Sequence, residues 1–475
     1  MRAAPSLQFE TGLGAVCRIC TSVRVILLAA GIGFLSIPQA HADTPDSVCL
    51  EHPMQALSAY LSSYEDASAL LARTRSVDFY PFSFMGRDQA SGFRNAMVDA
   101  LDFMPGHLVL IYHIDPTMIC VFAWEATAPE EMIYIRHTID RDALEDDASA
   151  IAALFAARVP RGAARSADRG GRALLRMPSG ATPEDRLSRI AKAMAPDTVL
   201  HAAIARAEAL VFHVPGPLAA LPYLALPLGG SAPLIETHAV TLLSGLNDMI
   251  DPRTSRAAAP LEWQSSSGSS VVVVADPHTP AEGIGGAKFS ALPGAAREAT
   301  EIALRKGGRL IEGADATGTE ILAALQDADV FHYAGHAVAD PDRPLEGSFL
   351  ALADGALDAR TIQMRSLSKG PLVVLSACDT GQGQTLGAGI VGLARGFQIA
   401  GAAGTVLSHW PVSDLSAEPL MLTFHDELVQ VTPAEALRRA ALQLRSDYPD
   451  PADWAAFSYF GIPFVLPASE DGILP

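Results

Sequence analysis

Two short segments carry residue types able to do covalent chemistry. In Asp329-Val330-Phe331-His332-Tyr333-Ala334-Gly335-His336-Ala337 an apolar run ends in a histidine, and in Pro371-Leu372-Val373-Val374-Leu375-Ser376-Ala377-Cys378-Asp379-Thr380-Gly381 another ends in a cysteine. A thiolate attacks a carbonyl carbon, and an imidazole protonates the amine that leaves. Both runs read as strands. Sites in open α/β sheets form at the carboxyl ends of strands, so His336 and Cys378 are expected on one rim. Gly381, Gly383 and Gly387 follow the cysteine and permit a sharp turn, whose backbone N–H groups can hold an oxyanion. The plain alternative is that Cys378 is a small buried hydrophobe and His336 a satisfied polar group. His332 lies inside its strand and reads as packing. It would sit about 13 Å from His336 along an extended chain, too far for the two to hold one metal ion, and no metal is expected.

The elements that must position these groups alternate in type. From residue 271 onward, strands over 271–275, 309–312, 330–334, 348–353, 372–377 and 404–410 interleave with helices near 293–305, 317–326, 387–400, 416–430 and 433–445. That pattern predicts a mostly parallel sheet covered by helices on both faces. A strand at 209–215 ends at a Pro-Gly-Pro turn. Upstream, 108–114, 119–124 and 132–135 read as a small antiparallel meander turning at Asp115-Pro116. Helices are expected over 142–157 and 183–208, and 43–95 reads as mostly helical. Residues 161–179 and 254–269 read as polar loops. Trp454-Ala455-Ala456-Phe457 and Gly461-Ile462-Pro463-Phe464 read as a closing edge strand. No internal repeat is visible.

Composition is globular: 49% of the 475 residues are hydrophobic and 18% charged. A net charge of −19 argues against nucleic acid as a partner, because phosphate contacts need clustered Lys and Arg. Arg18 and Arg24 precede an apolar run over 25–35, and Ala40-His41-Ala42 then offers a small-x-small cleavage pattern. Residues 1–42 therefore read as a signal peptide cleaved after Ala42, with a true start near Val23 as a variant. The expected location is periplasmic or extracellular, or a membrane anchor if the leader stays uncleaved. Of five cysteines, Cys17 and Cys20 lie in that leader. Cys49 and Cys120 either pair in an oxidising compartment, leaving Cys378 the odd thiol, or are unrelated.

Several segments together resemble the CHAT family, which belongs with caspases, separases and gingipains. They are Tyr333-Ala334-Gly335-His336-Ala337, Pro341-Asp342-Arg343-Pro344-Leu345-Glu346, Ser348-Phe349-Leu350-Ala351-Leu352-Ala353-Asp354, the segment around Cys378, Gly392-Leu393-Ala394-Arg395-Gly396-Phe397 and Ser408-His409-Trp410-Pro411-Val412-Ser413-Asp414. Leu292-Pro293-Gly294, Pro217-Leu218-Ala219, Pro433-Ala434-Glu435 and Trp454-Ala455-Ala456-Phe457 extend the resemblance over most of 200–465, and back to about 105. It implies a caspase-like α/β fold over 201–475, preceded by a helical region (43–104) and the meander and helices of 105–200. It implies Cys378 as nucleophile, His336 as general acid, and the backbone N–H groups of Ala337 and Cys378 as oxyanion donors. Many members carry Gly where Ala337 stands, and Ala is the worse residue if that position needs positive φ. His409 stands where an apolar residue is usual and reads as core.

The resemblance implies a cysteine endopeptidase acting on protein or peptide through a thioester, with no cofactor. It also implies that Trp410 and Asp414 shape the substrate cleft. The alternatives are a silent interaction scaffold, or a hydrolase of non-peptide esters, for which no strand-to-helix Gly-x-Ser-x-Gly elbow is found. Asp379 and Asp414 would favour Arg or Lys on the acyl side of the cleaved bond, unless Asp379 instead caps the following helix. The helical repeats common in the family are not seen here.

Overall fold

The computed structural model describes residues 48–75, 89–157, 181–214, 216–246, 248, 270–340, 343–377, 384–386 and 389–463. Cys378 and Asp379, residues 1–42, and the polar loops expected at 161–179 and 254–269 lie outside them.

The apolar runs become strands, most of them in one sheet. In chain order these are β1 (His107–Ile114), β2 (Met118–Glu125), β3 (Ile133–Thr138), β4 (Ala209–His213), β5 (Ala239–Leu242), β6 (Val271–Ala275), β7 (Arg309–Glu312), β8 (Val330–Ala334), β9 (Ala337–Val338), β10 (Phe349–Leu352), β11 (Gly355–Asp358), β12 (Leu372–Ser376), β13 (Gln384–Leu386), β14 (Gly389–Val391), β15 (Gly404–Ser408) and β16 (Phe457–Gly461). Eleven of them form the main sheet in the order β3-β2-β1-β4-β5-β16-β15-β12-β8-β6-β7. β9 to β11 form a small separate sheet, so the expected strand at 348–353 does not join the main one. β13 and β14 form a hairpin where a helix was expected to begin.

Two parallel sets meet in this sheet. β1, β4, β5 and β16 run one way, while β15, β12, β8, β6 and β7 run the other. The expected antiparallel meander is β1–β2–β3, and it joins the main sheet because β1 pairs in parallel with β4. The expected closing edge strand is corrected. β16 lies between β5 and β15, in the middle of the sheet, where all five of its residues are buried. A strand buried on both faces reads as a nearly continuous apolar run, and Phe457-Ser458-Tyr459-Phe460 fits that description as well as it fits an edge.

Helices cover both faces. They are α1 (Pro53–Arg75), α2 (Gln89–Leu101), α3 (Arg141–Ala156), α4 (Pro183–Met194), α5 (Thr198–Arg206), α6 (Pro293–Lys306), α7 (Gly318–Asp327), α8 (Ala359–Gln363), α9 (Leu393–Ala400), α10 (Asp414–Glu427), α11 (Pro433–Leu444) and α12 (Pro451–Trp454). The single helix expected over 183–208 is broken between α4 and α5. There Pro196 removes a backbone donor and Asp197 caps α5 by accepting the Val199 N–H. α4 starts with a full capping box between Thr182 and Asp185. α6 and α10 pack together on the β6–β8 side, and a buried polar chain fixes them there. Glu298 of α6 bonds His332 Nε2 at 2.9 Å, and His332 Nδ1 meets His425 Nε2 of α10 at 3.1 Å. His332 is thus the internal packing group that its mid-strand position suggested.

Candidate active site

β8 and β12 are adjacent and parallel, with Ala334 paired to Ser376. His336 lies two residues beyond the first of these and Cys378 two residues beyond the second. Parallel strands lie about 4.8 Å apart, so this register brings the carboxyl ends of β8 and β12 to the same rim. Ala377, the last described residue before the cysteine, is buried, and its carbonyl accepts the Ser408 hydroxyl at 2.6 Å.

The chain turns tightly between β8 and β9, and His336 sits in that turn. A Cβ on Gly335 would lie 2.8 Å from the Tyr333 ring and 2.9 Å from Pro277, so only glycine fits ahead of this histidine. The His336 carbonyl accepts the Ala351 N–H at 2.9 Å and lies 2.7 Å from the Tyr333 hydroxyl. That hydroxyl also lies 2.8 Å from the Ala351 carbonyl, which ties β8 to the small sheet. Ala337 is a strand residue without positive φ, so alanine is unstrained there.

The imidazole is only 4% exposed, and its ring centroid lies 5.0 Å from that of Phe289. Its Nε2 bonds the Ser290 carbonyl oxygen at 2.7 Å. A carbonyl only accepts, so Nε2 carries the proton and Nδ1 keeps the lone pair when the ring is neutral. Nδ1 is buried and has no hydrogen-bond partner among the described residues. Burial pushes the His336 pKa below its ordinary value, while the Ser290 carbonyl, Asp276 and Asp414 pull it upward. A neutral, oriented imidazole with an open basic nitrogen can take a proton from a thiol and return it to a leaving amine.

Two carboxylates flank this ring. Asp276 follows β6 and has φ of 33°, the only non-glycine positive φ among the described residues. Its Oδ2 accepts the Leu292 N–H at 2.9 Å, which fixes the segment carrying Ser290. Neither Asp276 nor Ser290 was singled out from sequence. The strand-end rule that found His336 applies equally to Asp276, which follows the apolar run 271–275. Asp414 opens α10 and its carboxylate accepts the Gly294 N–H. Burial raises its pKa more than that bond and Arg297 lower it.

Trp410 requires a correction. It is fully buried, its ring lies tilted with its centroid 5.0 Å from that of Phe155, and it donates its indole N–H to the Ala452 carbonyl at 2.9 Å, so it packs in the core rather than on an exposed surface. His409 is also fully buried, with Nε2 2.7 Å from the Ser458 hydroxyl, and burial pushes its pKa down to about 4. Among the described residues no cluster of three His, Cys, Asp or Glu side chains could hold a metal ion, and no helix is long and apolar enough to cross a membrane.

A family model described as the CHAT domain matches residues 184–462, more than half of the chain. The chain belongs to the CHAT-domain family. Among solved structures, this CHAT protein is similar to the Saccharomyces cerevisiae separase–securin complex. The TM-score is 0.55 at 9% identity, with 88% of this chain and 35% of that chain covered. It is also similar to the Arg-specific cysteine proteinase gingipain R, with a TM-score of 0.40 at 11% identity over 55% of this chain and 64% of that one. The fold is caspase-like. Among curated proteins, tetratricopeptide repeat protein 28 of Mus musculus is 25% identical over 236 residues, which is 42% of this chain and 10% of that protein. This CHAT protein therefore spans about a tenth of that curated relative's length.

Proposed function

We propose that this CHAT protein is a cysteine endopeptidase that uses Cys378 and His336. The observation that carries this reading is the buried Nδ1 of His336, which has no hydrogen-bond partner among the described residues. It is the proton-free nitrogen of the tautomer selected by Ser290, on the rim toward which β12 runs. His336 Nδ1 takes the thiol proton, and the Cys378 sulfur adds to the carbonyl carbon of the scissile bond. The C–N bond then breaks as the amine leaves with that proton, and a thioester remains. Water activated by the same nitrogen hydrolyses it and frees the thiol. The backbone N–H groups of Ala337 and Cys378 hold the oxyanion.

The acyl-side residue is Arg or Lys. Asp276 and Asp414 both exert a negative field at His336, and Asp379 follows the nucleophile. A partly desolvated carboxylate favours a cation, and a bidentate guanidinium most. A peptide-library cleavage profile is the test. It is expected to show Arg and Lys before the cut, weakened selectivity in an Asp379→Asn/Asp414→Asn double variant, and no cleavage by Cys378→Ala. No cleavage by the wild-type chain would support the scaffold alternative. Cleavage after Asp or apolar residues would refute the specificity alone.

A further inference from the structure

The described thiols outside the candidate site form a pair. Cys120 lies in β2, opposite His113 on one side and Arg136 on the other. Cys49 lies just before α1, in a segment stitched onto the same strands. Its N–H donates to the Asp115 carboxylate at 3.0 Å, and its carbonyl lies 3.5 Å from Arg136. Next to it, Leu50 accepts the Tyr134 hydroxyl at 2.6 Å, and Glu51 pairs with Arg136 at 2.9 Å. Cys49 is 2% exposed and Cys120 fully buried, and Cys120 is near enough to push the Cys49 thiol pKa upward.

We propose that Cys49 and Cys120 form a disulfide when the chain folds in an oxidising medium, clamping residues 48–52 onto β2 and β3. The oxidant is a small-molecule or protein disulfide. One cysteine, as thiolate, attacks it and forms a mixed disulfide while releasing one oxidant thiol. The second cysteine, as thiolate, then displaces the other oxidant thiol. Two thiols of the chain thereby lose two electrons and two protons, and the oxidant disulfide gains two electrons. The bond forms before segment 48–52 docks. In the folded chain Cys120, burial and Asp115 all push the Cys49 thiol far above its ordinary range, so almost no thiolate is present there.

The same geometry keeps the candidate nucleophile out of the bridge. β12, which leads to Cys378, lies six strands away from β2, about 29 Å at the usual strand spacing.

The experiment uses the full chain, denatured, reduced and refolded in a buffer of glutathione and glutathione disulfide. It is then alkylated in denaturant and mapped by mass spectrometry. The expected result is a linked Cys49–Cys120 peptide with Cys378 alkylated, and a link that withstands reductant until urea is added. Cys49→Ser and, separately, Cys120→Ala should each leave the remaining partner alkylated with an unchanged far-UV spectrum. Alkylation of both Cys49 and Cys120 in the oxidised wild-type chain would overturn the proposal. So would a bridge from either of them to Cys17, Cys20 or Cys378.

Discussion

Replacing Asp276 separates three effects at the His336 rim. Its carboxylate accepts the Leu292 N–H at 2.9 Å, and a hydrogen bond to a charged group contributes about 1.5–3 kcal/mol. Its φ of 33° costs a non-glycine residue about 1–2 kcal/mol. Its charge raises the His336 pKa. Asp276→Ala loses the bond and keeps the strain, so we expect a loss of about 2 kcal/mol. Asp276→Gly loses the bond but relieves the strain. It should be about 1 kcal/mol more stable than the Ala variant, less a few tenths for the added freedom of the unfolded chain. Asp276→Asn keeps an acceptor and removes only the charge. All three variants should lower the His336 pKa, because each removes a negative neighbour. Urea midpoints at pH 7.5 rank the stabilities, and the titration of 13C-labelled histidine reads the pKa. Equal stability of the Ala and Gly variants would refute the strain argument. An unmoved His336 titration in Asp276→Asn would refute the electrostatic one.

Acid should destabilise the chain through His213 and His409, both fully buried and both held at about 4 by that burial. Each folded pKa lies below the unfolded value of about 6.5, so this stability is complete above 6.5 and is lost as pH falls toward 4, about 3 kcal/mol for each group. Urea midpoints between pH 7.5 and 4.5 check this, and His409→Gln should reduce the slope by one proton; equal slopes would count against it. Gly294→Ala should move Asp414, since a Cβ there would lie 2.1 Å from its Oδ2. A loss of about 1.5–3 kcal/mol is expected, with weaker Arg selectivity in the cleavage profile.

The strand ends of the candidate site were legible because a strand buried on both faces leaves a long apolar run. Both 330–334 and 372–376 end where their runs end. The same property hid the place of β16, since an apolar run carries no record of which strands flank it. β5 was missed because Ala239-Val240-Thr241-Leu242 is short and lacks flanking turn signals. Trp410 was misread because a motif position says nothing about which face of the chain a ring occupies; Phe155, far off in sequence, decides that. Ser290 could not be found by residue type, because only its backbone carbonyl acts. The docking of the Cys49 segment beside Cys120 rests on Asp115, Tyr134 and Arg136, contacts that depend on the folded sheet.

The central claim is that His336 activates Cys378, and covalent labelling tests it most directly. The full chain, kept in reducing buffer, is treated with a peptidyl acyloxymethyl ketone bearing Arg, and the modified residue is mapped by mass spectrometry. One label on Cys378 is expected, absent in Cys378→Ala and formed about 100-fold or more slowly in His336→Ala, the usual contribution of a positioned general base. Equal labelling rates in wild type and His336→Ala, or no labelling of Cys378 at all, would contradict the account.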